Sequence, residues 1–571
     1  MENINHMKIS TKVKTTGIFC AAALLAAGVA NAQEPTNKGQ LSGSFETNTI
    51  WYMPDKYTYN AANPLPNDRI GSNNYLKLDY SVGKFSAGLQ GELYAPVLQG
   101  YDSALKGAQI THKYAKWTDN NFEIQVGDFY DQYGSGMIFR AYEDRALGIN
   151  TGLEGVRAAV NVGDFFSLSA MMGRPRYYMD YLPVWLRGAD ASLSLSSLFG
   201  FTSQYLALEG SYLSQYDETR TTVKGKDGKP LVPANMNAWS ARLVYEVAGF
   251  SLRAELVGKS PSVYSMKGTD QVKFGRGQLL ELGYSGYGWG ISLTGRNLYF
   301  MDMKMINDVQ YSGLANQLNY TPALTRQYTY SLANLDPYSV HAMGERAAQM
   351  DIYYNIRRGS ALGGRYGTKL HLNGSITYES AAAIYNTIGK AGDAMHFAYL
   401  DASFDLEKQW NKKFKTTILL AFQRMNTELN AKIPVNRYIA VFDGLYKLTS
   451  RQSLRLELQY LYSPFAMQES INPSTGMPEY SVFDDKKNRG SWWAASLEYS
   501  FAPRFSIFVS DMYNFESEKV HYYSVGMSYT KGNTRIGLTY GRNREGYVCS
   551  GGVCRQMPGY TGINLSLTTS F

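Results

Sequence analysis

The last nine residues of the chain read Ile563-Asn564-Leu565-Ser566-Leu567-Thr568-Thr569-Ser570-Phe571. One parity carries the apolar side chains together with Thr569, and the other parity is polar throughout. Alternation at period 2 is typical of a strand with one apolar and one polar face. The segment therefore predicts an amphipathic strand that ends on an aromatic residue.

A terminal strand of this kind is similar to the sorting signal of bacterial outer-membrane β-barrels, which the barrel-assembly machinery reads. The residues that would carry the signal are Ile563, Leu565, Leu567 and Phe571. The alternative is the C-terminal strand of an ordinary soluble β protein. Only the rest of the chain can decide between them.

The opposite end of the chain has the pattern of an export signal. A lysine-containing segment is followed by an apolar stretch from Gly17 to Val29, which is too short to span a bilayer. Ala30 and Ala32 supply the small residues that signal peptidase requires, which predicts cleavage before Gln33. We therefore expect a cleaved signal peptide at 1–32 and one mature domain at 33–571.

The composition of the chain favours an exported membrane barrel. The mean hydropathy of −0.31 is polar overall, as expected when only every second residue of a strand faces lipid. The 46 tyrosines suit aromatic girdles at two membrane interfaces. The formal net charge is +8 without basic clusters, so nucleic acid is excluded as a partner. No motif points to a cofactor or to a metal.

Hairpins follow one another along the whole mature chain. In one of them, alternating strands on either side of Ala248-Gly249 run from Trp239 to Leu256. Counting such segments predicts an all-β, antiparallel transmembrane outer-membrane barrel of about 24 strands, within a range of roughly 20–28.

A soluble β-sandwich would show the same alternation along its strands. Its connections, however, would not alternate regularly between short and long. Short turns, for example near 83 and 532, alternate here with long connections such as 53–74, 259–277 and 300–347. This asymmetry predicts periplasmic termini and turns, with long extracellular loops. We expect 300–347, the longest connection, to form a cap or an inward-folded plug.

Two cysteines follow the predicted cleavage site, Cys549 and Cys554. Gly551-Gly552 lies between them and provides the backbone freedom for a tight ring. We expect a structural disulfide at the tip of an outer loop. A metal site would need further ligands nearby, and a redox role would favour a C-x-x-C motif on a helix.

Two segments resemble an uncharacterised family. The first is Gly541–Gly546, which continues through Cys549–Arg555 to Phe571. The second is Gly127–Gly136, followed by Arg140–Ile149. In both, the sequence is similar to a Bacteroidota outer-membrane β-barrel family, domain of unknown function 6029. The resemblance implies a barrel in the outer membrane, contacting its lipid, and implies no activity.

Charged side chains are dense in 127–149, which makes this segment the best functional candidate. The expected lumen or constriction residues are Asp128, Asp131, Arg140, Glu143, Asp144 and Arg145. One interpretation is a loop held to the barrel wall by ion pairs. Another is a constriction that sets the selectivity of a pore. A catalytic role for the carboxylates is the third.

Two functions remain open from the sequence. The first is a channel, porin-like protein or passive transporter for small solutes. The second is a plugged structural or assembly barrel that binds partner outer-membrane proteins through its outer loops. An enzyme is not expected, because the histidines are scattered and none has a Ser or Asp at the spacing of a catalytic motif.

Overall fold

The structure is a computed structural model. It describes residues 39–266, 269–308, 310–311, 313–380, 395–426, 434–464, 467–471, 478–482, 490–516 and 519–571. The predicted signal peptide, with Ala30, Ala32 and Gln33, lies outside these residues. Among the described residues, no helix is both long and apolar enough to span a membrane.

Strands dominate the described chain. The first eighteen are β1 Gln40–Tyr52, β2 Ile70–Val82, β3 Phe85–Tyr94, β4 Gly107–Thr118, β5 Phe122–Phe129, β6 Asp131–Tyr133, β7 Phe139–Ala141, β8 Glu143–Asp144, β9 Ile149–Asn150, β10 Leu153–Val162, β11 Phe166–Tyr177, β12 Asp180–Tyr181, β13 Trp185–Ser194, β14 Gln204–Tyr216, β15 Asn235–Val247, β16 Phe250–Met266, β17 Thr269–Gly286 and β18 Trp289–Tyr299.

The remaining strands are β19 Gly344–Ile356, β20 Thr368–Ser380, β21 Met395–Gln409, β22 Phe414–Met425, β23 Val435–Lys447, β24 Gln452–Tyr462, β25 Met467–Ile471, β26 Pro478–Val482, β27 Trp492–Phe501, β28 Phe505–Asn514, β29 His521–Lys531, β30 Thr534–Asn543, β31 Gly546–Ser550, β32 Val553–Met557 and β33 Tyr560–Ser570. The described helices are short: Leu195–Phe199, and the 3-10 turns Ser103–Leu105, Glu218–Thr221 and Leu314–Asn316.

Twenty-four of these strands form one closed antiparallel barrel, in which each strand pairs with its neighbour along the wall. The small strands β6–β9, β12, β25, β26, β31 and β32 belong to the connections. The final strand β33 closes the wall, because it pairs with both β30 and β1. Phe571 continues this ladder through two backbone hydrogen bonds with Gly43. The predicted fold class is therefore confirmed.

Side chains alternate between the two faces of the wall. On β22, Leu419 is fully buried and points inward, whereas the next residue, Leu420, is 52% exposed on the outer face. On β15, Ser240 and Arg242 are buried, while Trp239 and Leu243 on the other parity are exposed. The outer face is therefore an apolar and aromatic belt, and the buried core of the protein lies inside the barrel.

Short and long connections lie at opposite ends of the barrel, as predicted. One prediction about them is wrong: 259–277 is not a long loop, because β16 and β17 continue through most of it as a paired hairpin. The ladder shifts register between Lys259 and Ser262, around Pro261. Proline cannot donate to a ladder, and a bulge accommodates it without ending the strand. The break in alternation at this bulge is what resembles a loop in the sequence.

Candidate functional site: a lumen filled by two connections

The connection 300–343, between β18 and β19, packs against the inner wall of the barrel. Its first part alternates Met301, Met303 and Met305, and all three side chains are fully buried. They belong to one apolar cluster with inward-facing residues of the wall, including Leu213 and Val257. Methionine suits this position because its flexible side chain fills irregular gaps.

The later part of the same connection reaches a different arc of the wall. Leu332 and Leu335 are buried in a second apolar cluster with residues of β22, β23, β24 and β27. Leu461 and Trp492 of that wall are fully buried beneath the connection. Contacts with both arcs mean that 300–343 lies across the lumen as a plug, and we call it the luminal plug.

Polar contacts fix the luminal plug between these two clusters. Arg326 binds Asp405 of β21 through both guanidinium Nη atoms, at 2.7 and 2.9 Å. The hydroxyl of Tyr328 donates to Oδ1 of Asp401 at 2.5 Å. Burial and the Asp401 carboxylate together raise the pKa of Tyr328, so its phenol stays protonated and remains a donor. Bidentate and charge-assisted bonds of this kind fix geometry as well as adding stability.

A second connection, 130–152 between β5 and β10, also folds into the lumen. Tyr133, Met137 and Phe139 are at most 1% exposed and share the apolar cluster of the plug methionines. Backbone hydrogen bonds join the two connections: the Arg140 amide donates to the Leu318 carbonyl, and the Tyr320 amide donates to the Gly136 carbonyl, both at 2.9 Å. The two connections therefore form one packed unit.

Two of the six predicted constriction residues, Glu143 and Arg145, form one cluster at the wall. Arg145 donates to Glu46 of β1 at 2.7 Å and to Glu143 at 3.3 Å, and its guanidinium lies 4.3 Å from the ring centroid of Tyr75. Glu143 also accepts from Gln90 at 2.8 Å. These contacts join the 130–152 connection to β1, β2 and β3.

Three more of the predicted residues, Asp131, Arg140 and Asp144, have partners outside this cluster. Asp131 binds Arg157 of β10 at 3.0 Å, and burial raises the pKa of Asp131. Arg140 lies 3.8 Å from the ring centroid of Tyr320, in a cation–π contact with the plug. Asp144 caps its own turn by accepting from the Leu147 amide at 3.0 Å.

Asp128 is directed away from the others. It accepts from the backbone amide of Lys113 at 2.8 Å and lies 3.6 Å from the ammonium of the same residue, which is half exposed. The Tyr181 hydroxyl also donates to it. In these contacts Asp128 orders β4, β5 and the short strand β12. None of these contacts involves another of the six predicted residues.

The inner wall holds several buried ion pairs whose partners the sequence does not indicate. Arg176 and Glu92 form a bidentate pair at 2.9 and 2.8 Å, and both side chains are at most 3% exposed. Arg242 binds both Asp190 and Glu209. The period-2 pattern predicts that such residues face inward, but it carries no information about which strands bring their partners.

The hairpin β31–β32 lies over the two inner connections. Cys549 and Cys554 form a disulfide within it. At its tip, the Gly551 carbonyl accepts from the Tyr320 hydroxyl, and the Gly552 carbonyl accepts from the Ala323 amide at 3.1 Å. Near its base, Arg555 donates to the carbonyl of Leu147 at 2.7 Å. The hairpin thus contacts both parts of the luminal filling.

Among the described residues, no group of three or more His, Cys, Asp or Glu side chains is placed to hold a metal ion. Apolar clusters hold the two connections against the inner wall, and ion pairs join them to specific strands.

Comparison with known proteins gives a family and a fold. The model of a "Family of unknown function (DUF6029)" matches residues 13–571. No curated protein matches the chain in sequence.

Solved structures of similar fold include three barrels. The translocation pore of the P pilus usher PapC shares 10% identity at a TM-score of 0.42, covering 93% of this chain and 99% of that one. The siderophore receptor PirA from Pseudomonas aeruginosa shares 9% at 0.37, covering 95% and 81%. A BenF-like porin from Pseudomonas fluorescens Pf-5 shares 12% at 0.35, covering 75% and 98%.

Proposed function

Because the chain belongs to DUF6029, a family of unknown function, we propose a function from the geometry of its lumen. The protein is an outer-membrane barrel closed by its own connections, and it acts as a scaffold that binds partner proteins through its outer loops. A Bacteroidota origin stays a prediction.

The observation that carries this proposal is the burial of the luminal plug. Fully burying one Leu or Met side chain contributes about 1.5–3 kcal/mol. Met301, Met303, Met305, Leu318 and Leu332 are all fully buried. A segment held by several such contacts, and by the Arg326–Asp405 pair, favours a closed lumen at rest.

The location of the protein is part of the same proposal. The exposed apolar belt of the wall suits lipid, and the predicted signal at 1–32 suits export. The terminal strand, with Ile563, Leu565, Leu567 and Phe571, would be the segment that the barrel-assembly machinery reads. In the structure this strand closes the barrel, which is consistent with its recognition as an assembly signal.

A passive channel for small solutes is the second candidate. It is favoured by the charged inner wall, where Arg455 binds Asp443 and Glu457 at 2.8 and 2.7 Å. Arg455 is 41% exposed although it lies on the inward parity of β24, so water reaches this part of the wall. For solute to pass, the plug would have to move.

Conductance in a planar bilayer tests the proposal. We expect the native protein to insert without open steps, whereas a variant with 301–343 replaced by a short Gly/Ser linker should conduct. Slower gel migration after boiling would verify that each sample is a folded barrel. If the linker variant does not fold, Leu332→Ala serves as the second variant and should show brief openings. Stable open steps from the native protein would contradict the closed lumen and favour the channel.

A further inference from the structure

The outer end of the barrel contains a cavity of about 370 Å³. Its walls come from the connection after β1, from the loop before β29, from the β30–β33 connection and from the plug residue Asp336. This volume is within the range of ligand pockets, roughly 300–1,000 Å³. The plug clusters described above do not line it.

The chemistry of the lining points to a particular ligand class. Three tyrosines contribute ring faces with a polar tip: Tyr57, Tyr522 and Tyr547. Three further amide side chains add hydrogen-bonding groups: Asn60, Asn543 and Gln556. A ligand that matches them needs apolar C–H faces beside many hydroxyl groups. Saccharides have both features.

Other ligand classes fit the lining less well. Val520 is the one aliphatic side chain among the described lining residues, which disfavours an acyl chain. Arg544 is accompanied by two carboxylates, Asp336 and Glu545, which disfavours a phosphate or another polyanion. Carboxylates and a guanidinium can, however, accept from and donate to sugar hydroxyls.

The walls of the cavity are held in place before any ligand binds. The Asn63 amide nitrogen donates to the carbonyls of Thr58 and Gly559 at 3.1 and 2.9 Å, which joins two of the connections. The Asp55–Arg542 pair, at 2.7 Å, anchors the first connection to β30. Preorganised walls reduce the entropy lost on binding.

The side chains nearest the solvent are also oriented. Gln556 donates to Glu545 at 2.9 Å, which holds the two side chains together across β31 and β32. Tyr57 is 55% exposed and Tyr547 is 39% exposed. Tyr522 is stacked on the buried ring of Trp492, with centroids 6.2 Å apart. The Tyr57 ring already has the Arg542 guanidinium and the Lys56 ammonium 4.9 and 5.0 Å from its centroid. Tyr547 therefore offers the accessible ring surface that stacking on a sugar requires.

We infer that this cavity binds a neutral oligosaccharide at the outer surface. The inference goes beyond the proposed scaffold function, since the cavity exists whether or not the lumen opens. A pyranose face would contact Tyr547, and the hydroxyl groups would bond to Gln556, Asn543 and Glu545.

The test uses the purified full chain in detergent. An array of neutral tetrasaccharides built from glucose, mannose, galactose or xylose is the probe, and an array of tetrapeptides is the comparison. Affinity for any retained saccharide is then measured by titration calorimetry. The variants are Tyr547→Ala and Gln556→Ala, and Tyr216→Ala at the end of β14 is the matched control. Gel migration with and without boiling checks the fold of each one.

We expect at least one tetrasaccharide to bind, with affinity about tenfold lower in each cavity variant, equivalent to about 1.4 kcal/mol, and unchanged in the control. Failure of the folded native protein to bind any of these saccharides would overturn the inference. Equal binding by the native protein and both cavity variants would place the sugar elsewhere. Tetrapeptide binding that is lost in Tyr547→Ala, without saccharide binding, would assign the cavity to a peptide.

Discussion

Truncating Leu332 to alanine should release the later part of the luminal plug while leaving the barrel intact. Leu332 is fully buried among residues of β22–β24 and β27. Leu→Ala at such a site costs about 2–5 kcal/mol, because the transfer free energy is lost and a cavity remains. Since the wall belongs to a separately hydrogen-bonded sheet, this loss should weaken the docking of the plug.

A loss of about 3 kcal/mol corresponds to a roughly hundredfold larger fraction of undocked plug. Hydrogen exchange can measure that fraction at two reporter amides. The Leu332 amide donates to the Gln459 side chain at 3.0 Å, and the Asn334 amide donates to the Tyr330 carbonyl at 3.1 Å. Both should exchange about a hundredfold faster in the variant, while the amides of β22 and β23 keep their protection.

Leu420→Ala is the matched control, because Leu420 lies on the outward parity of the same wall and is 52% exposed. It should leave exchange of the plug amides unchanged. The expected weakening of plug docking is refuted if the plug amides of Leu332→Ala exchange as slowly as those of the native protein. It is also refuted if the strand amides accelerate as much as the plug amides, since the plug and the wall would then unfold together.

Three further results are expected. Leu243→Arg, on the outward face of β15, should cost about 2–4 kcal/mol in folding into lipid vesicles; an unchanged unfolding midpoint would contradict its lipid contact. Cys549 and Cys554 should be alkylated only after reduction, and replacing both by serine should cost at most about 2–3 kcal/mol without preventing barrel formation; free thiols in the native protein would disprove the pair. An epitope tag at Asp227 should be labelled on intact cells and a tag at Gly532 should not; the reverse pattern would invert the topology.

Much of the wall could be predicted because strand alternation is a local property. Each hairpin carries its own period-2 pattern, and the alternation of short and long connections gives the two ends of the barrel. The same local rule failed at Pro261, where a bulge continues the strand through a sequence that resembles a loop. A period-2 pattern of side chains does not predict such a shift in register.

The filling of the lumen was harder to predict, because it depends on contacts between distant segments. The length and polarity of 300–347 suggested a cap or a plug, but nothing local distinguishes the two. Arg326 and Asp405 are 79 residues apart in sequence, so their pairing appears only when the barrel closes. The charge density of 127–149 was visible, yet it did not indicate that Asp128 contacts Lys113 and Tyr181 while Arg145 reaches Glu46.

An experimental map of the protein in a lipid nanodisc would test the central claim most directly, because it would show whether 300–343 lies inside the barrel. We predict continuous density across the lumen, with Met303 beside Leu213 and with Leu332 beside Leu461. An open lumen, with this connection folded outside the barrel, would contradict the account.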